Sequence, residues 1–196
     1  KWHSALSVST LTYSTLNAIQ SKTVNYIDVA NMVKGDEIAD YTMNYRVKKA
    51  ATGYDPSTEV SGSVYFYADY DSTSGTWTLD QRASSATPDS LTEQINTFKA
   101  YPGLESAITS TGAGAITVST LKALQNIAYN SLEYNDGTTT SVREKGEEVT
   151  DYTENYKLNK SSGVYVDSDS DPTSATVYFY SNGTLTKERA WKATSE

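Results

Sequence analysis

The segment Lys34-Gly35-Asp36-Glu37-Ile38-Ala39-Asp40-Tyr41-Thr42-Met43-Asn44-Tyr45-Arg46-Val47 returns 111 positions later as Lys145-Gly146-Glu147-Glu148-Val149-Thr150-Asp151-Tyr152-Thr153-Glu154-Asn155-Tyr156-Lys157-Leu158. Most of the differences keep charge or apolarity, so the chain reads as a tandem repeat in which each copy checks the other. Two further blocks follow in the same order. Ser14-Thr15-Leu16-Asn17-Ala18-Ile19-Gln20 matches Ser119-Thr120-Leu121-Lys122-Ala123-Leu124-Gln125 at an offset of 105, and Val64-Tyr65-Phe66-Tyr67 matches Val177-Tyr178-Phe179-Tyr180 at 113. Arg82-Ala83 matches Arg189-Ala190 at 107, which gives copy one the longer loop, 68–75.

Within the repeat block the residues alternate. Tyr41, Met43, Tyr45 and Val47 fall on one face and Asp40, Thr42, Asn44 and Arg46 on the other, the period of a half-buried strand. Ser63–Tyr67 and Thr176–Tyr180 are rich in aromatic and branched residues and read as central strands. Asn182-Gly183 is a hairpin turn leading into a last strand, Leu185–Lys192, and a short strand is expected around Gly163–Val166. Ahead of the repeat block, Leu16, Ile19, Thr23 and Ile27 step at helical spacing, as do Leu121, Leu124 and Ala128, and Ile27, Ala30 and Val33 precede Gly35 as a helix stop.

The fold class expected from these periods is α+β: two copies of a helix-turn-helix followed by a four-stranded antiparallel sheet. The first copy spans 1–83 and the second 115–196, with a linker at 84–114. In that linker Ser90-Leu91-Thr92-Glu93 reads as a capping box and Leu91, Ile95 and Phe98 as one helix face ended by Pro102. This helix either docks the modules or opens copy two.

Composition removes several classes of function. The chain has 196 residues and a net charge of −8, without a run of Lys or Arg able to neutralise successive phosphates, so nucleic acid is not an expected partner. No stretch approaches the roughly 20 apolar residues that cross a bilayer. Lys1-Trp2-His3-Ser4 is not a signal peptide, so an export signal or lipid anchor would precede it. With no Cys there are no disulfides, thiolate metal sites or thiol nucleophiles. A Cys-free acidic chain rich in Ser, Thr, Tyr, Asn and Asp points to an exported or surface-attached bacterial protein.

The closing segment Ala175-Thr176-Val177-Tyr178-Phe179-Tyr180-Ser181-Asn182-Gly183-Thr184-Leu185-Thr186-Lys187-Glu188-Arg189-Ala190-Trp191 resembles the last hairpin of the β-lactamase inhibitory protein family and the related small lipoprotein modules of Gram-positive bacteria. Leu16-Asn17-Ala18-Ile19 with Tyr26-Ile27-Asp28-Val29-Ala30-Asn31-Met32-Val33-Lys34-Gly35 resembles that family's opening helices, although Lys22-Thr23-Val24 stands where the family has a Gly-Met-Thr turn. The resemblance implies the same tandem α+β plan. It also implies a concave, aromatic sheet face that grips a partner, here carrying Phe179, Arg189 and Trp191 with Phe66 and Arg82 as counterparts.

No residue set builds ordinary side-chain catalysis. His3 is the one histidine, which rules out a Ser-His-Asp triad away from the first residues and any multi-His metal site. Asp167-Ser168-Asp169-Ser170-Asp171 starts like a calcium loop, but Pro172 and Tyr178 stand where such loops need Gly and a bidentate Glu. Asp36-Glu37, Glu147-Glu148, Asp40 and Asp151 recur in both copies at an expected helix-to-strand junction, where capping and strand-edge solubility account for them without any reaction. No catalytic residue, metal or cofactor is therefore expected. The expected function is a non-enzymatic module binding a protein or cell-wall partner. The alternative is a structural or assembly role in which the aromatic faces pack modules or oligomerise. A catalytic centre would break the symmetry of the copies.

Overall fold

The repeat is a repeat of strands. The computed structural model describes residues 18–27, 33, 35–109, 116–117, 120, 122–135, 137–181 and 184–192. Of these, 59% lie in strands and 4% in one short helix, so the expected α+β class with helix-turn-helix modules is corrected to an all-β fold.

The strands are β1 (Ser21–Tyr26), β2 (Ile38–Arg46), β3 (Thr58–Asp71), β4 (Thr76–Gln81), β5 (Leu91–Lys99), β6 (Leu124–Ser131), β7 (Glu133–Asn135), β8 (Thr140–Val142), β9 (Val149–Asn155), β10 (Leu158–Ser161), β11 (Val164–Ser168), β12 (Ser174–Ser181) and β13 (Thr184–Lys192). The helix α1 (Leu104–Thr109) follows β5. One antiparallel sheet runs β1-β2-β3-β5-β6-β9-β12-β13, with β4 paired to the far end of β3. The β7–β8 and β10–β11 hairpins are separate two-stranded ribbons.

Register makes the repeat quantitative. In the first copy Ser21, Thr23 and Val24 stand opposite Asn44, Thr42 and Tyr41. In the second, Asn126, Ala128 and Tyr129 stand opposite Asn155, Thr153 and Tyr152, the same pairs moved by the sequence offsets of 105 and 111. Even the bulge recurs, after Val24 and after Tyr129. Gly62, Val64 and Phe66 face Phe98, Asn96 and Gln94, just as Ala175, Val177 and Phe179 face Trp191, Arg189 and Lys187. The counterpart of β13 is thus β5. The module is a four-stranded meander, β1-β2-β3-β5 in one copy and β6-β9-β12-β13 in the other. The closing strand of copy one is therefore found inside 84–114, and Arg189 corresponds to Asn96 rather than to Arg82.

Bulges explain why strands read as helices. A β-bulge inserts one residue, so core-facing positions on either side of it sit three apart instead of two. Leu91 and Gln94 straddle such a bulge, and Gln94, Asn96 and Phe98 then alternate inward. Leu124 and Ile127 straddle another. Because the inward positions also hold Gln94 and Asn96, the apolar period of two was hidden. Glu93, the end of the expected capping box, instead accepts the backbone N–H of Asp80 at 2.8 Å, and Ser90 donates to Asp69 at 2.6 Å. The first expected helix, on Leu16, Ile19, Thr23 and Ile27, is corrected in the same way, because Ser21–Tyr26 is the strand β1; Leu16 itself, Ala30 of the second, the linker stretch 110–114 and the Asn182-Gly183 turn lie outside the described residues.

The sheet has one principal apolar face. Tyr41, Met43, Val64, Phe66, Phe98, Leu124 and Ile127 point into a cluster roofed by Tyr101, Leu104, Ile108 and Ile116. Burying each large side chain there contributes about 1.5–3 kcal/mol. Gly62 sits beneath α1 because a Cβ at that position would lie 2.9 Å from Met43 Sδ and 3.2 Å from Leu104 Cδ2. Ile38, Tyr67 and Ala83 form a smaller, separate cluster, and the Tyr67 hydroxyl donates to the Ala39 carbonyl at 2.5 Å.

Candidate functional site

Directly opposed residues of neighbouring strands share a face, so the principal face can be followed across the whole sheet. One row runs Phe66, Gln94, Tyr129, Tyr152, Val177, Arg189. A second runs Val64, Asn96, Ile127, Glu154, Ala175, Trp191. Phe179 stands opposite Lys187 on this same face. The surface that buries the core of copy one therefore continues to the last hairpin of copy two, where Phe179 and Trp191 stand exposed.

The five residues expected to bind a partner separate into two groups. Phe66 is 1% exposed and belongs to the core, so it can touch nothing outside the chain. Arg82 is committed to Asp40: Nε donates to Oδ1 at 2.9 Å and Nη2 to Oδ2 at 2.8 Å, while Nη1 donates to the Ile116 carbonyl at 3.0 Å. Its guanidinium lies 5.9 Å from the centre of the Phe66 ring. Both are therefore corrected from surface to structural residues, for the physical reason that copy one carries a roof over them. Phe179 and Trp191 are 41% and 46% exposed, against 1% for Phe66 and 0% for Phe98, their register counterparts. Arg189 lies between them on the exposed face, and Lys187 Nζ sits 5.9 Å from the Phe179 ring centre. In a chain of net charge −8, this hairpin face gathers two cations beside two aromatics.

A second surface breaks the symmetry of the copies. The β3–β4 extension of copy one and the β6–β9 pair of copy two enclose a cleft of about 480 Å³, with Trp77, Leu79, Tyr129 and Tyr152 among its walls. Its residues come from distant parts of the chain, and motif reading could not have found it. The rings of Tyr129 and Tyr152 stack at 4.5 Å and 20°. Two of the cleft's three carboxylates already have tasks. Glu133 accepts the Trp77 indole N–H at 3.0 Å, and Glu93, pushed above the usual carboxylate range by burial, holds the Asp80 backbone at φ 60°.

Several of the acidic residues weighed from sequence are likewise engaged. Glu37 accepts the N–H of Gly35 at 3.0 Å and Glu148 that of Gly146 at 2.6 Å, one self-capped turn built twice. Glu148 also accepts the Thr92 N–H at 2.8 Å, tying the second module to β5. Asp167 turns to the Ser168 N–H and Asp169 to the Asn159 amide and, more distantly, Lys157. Among the described residues no group of three or more His, Cys, Asp or Glu could hold a metal ion. His3 lies outside them.

The tyrosines predict an alkaline limit. Burial first, and then the Glu154 carboxylate, raises Tyr129, Tyr152 and Tyr156 above the ordinary tyrosine value, and the Tyr156 hydroxyl donates to Glu154 at 2.8 Å. A group whose folded pKa is raised contributes stability fully present below its unfolded pKa and lost as pH rises through the folded one. Stability is thus expected to hold up to about pH 10 and to fall above it. The last part of the tyrosinate absorbance should appear only together with the loss of circular dichroism; ionisation of all sixteen tyrosines with the fold intact would contradict it.

Among the described residues no helix is long and apolar enough to cross a membrane. Comparisons with protein-family models, with curated proteins and with solved structures return no match, so the site stands on its own geometry.

Proposed function

We propose that the chain is a non-enzymatic, exported or surface-attached binding module whose open sheet face, carrying Phe179, Arg189 and Trp191, takes a protein or cell-wall partner. One observation carries this reading. Positions that are closed core in the first module, Phe66 and Phe98, are exposed aromatics in the second, at the same register on the same face. An exposed apolar patch rimmed by charge is the usual mark of an interaction surface, and aromatic and Arg side chains dominate such surfaces energetically. Lys187 and Arg189 favour a partner that presents negative charge.

The test compares binding with stability. In co-sedimentation with isolated Gram-positive cell walls, and in titration with solubilised surface proteins, Trp191→Ala and Phe179→Ala are each expected to weaken binding at least tenfold. Thermal unfolding should stay within a few degrees of the parent. Unchanged binding by both variants would sink the reading.

A further inference from the structure

We propose that β13 of one copy pairs with β1 of the next in the register by which β5 pairs with β6, making the partner of the open hairpin a second copy of this chain. The proposal rests on the binding reading above and names its partner.

The template lies inside the molecule. β5 closes the first module and β6 opens the second, and they join through Gln94 opposite Tyr129, Asn96 opposite Ile127, Thr97 opposite Asn126 and Phe98 opposite Leu124. β13 occupies the place of β5, and β1 that of β6, pair by pair. Among the described residues the outer edges of β1 and β13 pair with no strand. An open strand edge is a template for adding another strand. The entry to the strand is also duplicated: Ala18 and Ala123, both non-glycine residues in the left-handed region, have φ 69° and 55°. Ala123 offers its carbonyl to Lys99 N–H at 2.8 Å. Tyr45 N–H to the Gln20 carbonyl at 2.9 Å and Tyr156 N–H to the Gln125 carbonyl at 3.0 Å repeat the next bond.

Transferring the register sets Lys187 opposite Val24, Arg189 opposite Lys22, Ala190 opposite Ser21 and Trp191 opposite Ile19. Trp191 then packs as Phe98 does on Leu124. Arg189 meets Lys22 within a locally acidic group. Lys22 is ion-paired to Glu105, and Glu59 feels the charge of both Glu105 and Lys22. Two carboxylates and one ammonium leave a net charge of −1 there, which the incoming guanidinium complements. Such head-to-tail contact is heterologous, so it propagates into open chains unless a ring closes.

The experiment uses the whole chain. Sedimentation velocity over a broad concentration series is expected to show a ladder of species that grows with concentration, and Arg189→Glu to weaken the association at least tenfold. Because the chain has no cysteine, the double variant Ser21→Cys/Ala190→Cys should oxidise into a disulfide-linked ladder. Lys22→Cys/Ala190→Cys, which puts the thiols on opposite faces, should not. A single monomeric species throughout, with no ladder from either variant, overturns the pairing. A monomer that still binds cell walls through Trp191 overturns this inference and leaves the binding reading in place; a monomer that binds nothing overturns both.

Discussion

Phe98→Ala is expected to lower the free energy of unfolding by about 3–5 kcal/mol, while Trp191→Ala, at the equivalent position of the second module, should cost less than about 1 kcal/mol. Phe98 is fully buried against Leu104, Ile108 and Leu124 in the principal cluster, so truncation removes an apolar ring and leaves a cavity that β-sheet neighbours cannot fill. Trp191 occupies the same register opposite Ala175 but is 46% exposed. Urea denaturation of both variants at low protein concentration, where copies are separated, measures the difference. Equal losses would mean that the second module is roofed in solution as the first is, and the open face would cease to exist.

This contrast also shows what could be read from the residues and what could not. The offsets of 105, 111 and 113 reappear as strand register, because a repeated strand must repeat its inward positions to keep one face buried. Tyr41, Met43 and Tyr45 do share the principal cluster, as their alternation predicts. The helix readings joined Ile95 and Ala128, which stand opposite each other on the far side of the sheet, to the inward Leu91, Phe98 and Leu124, and bulges set Leu91–Gln94 and Leu124–Ile127 three apart. Helix and strand periods are then locally alike, and buried Gln94 and Asn96 removed the apolar signal that would have separated them.

Of the candidate site, the shared face of Phe179, Arg189 and Trp191 was legible in the alternation of the closing hairpin. Phe66 and Arg82 are not equivalent to these residues in exposure, because exposure depends on what crosses above a strand. In copy one α1, Tyr101 and Ile116 cross above it. The cleft between Trp77 and Tyr152 required knowing that an extension found only in copy one reaches the second module, a fact of topology with no local motif.

Arg82 carries the second large expectation. Arg82→Ala should destabilise the fold by about 2–3 kcal/mol and Arg82→Lys by somewhat over half as much, with neither altering the binding of cell walls by the folded protein. The guanidinium spans three acceptors, both oxygens of Asp40 on β2 and the carbonyl of Ile116 in the segment that roofs the principal cluster. The side chains of Arg82 and Asp40 are 18% and 24% exposed. Alanine leaves a carboxylate and a carbonyl without their donor in a poorly hydrated place, which costs more than the pair itself is worth. Lysine restores one charge-assisted bond but cannot reproduce the planar fork. Denaturant midpoints with unchanged m-values would measure the loss. If binding instead fell while the midpoints held, Arg82 would return to the interaction surface, and the roof over Phe66 would have to open in solution.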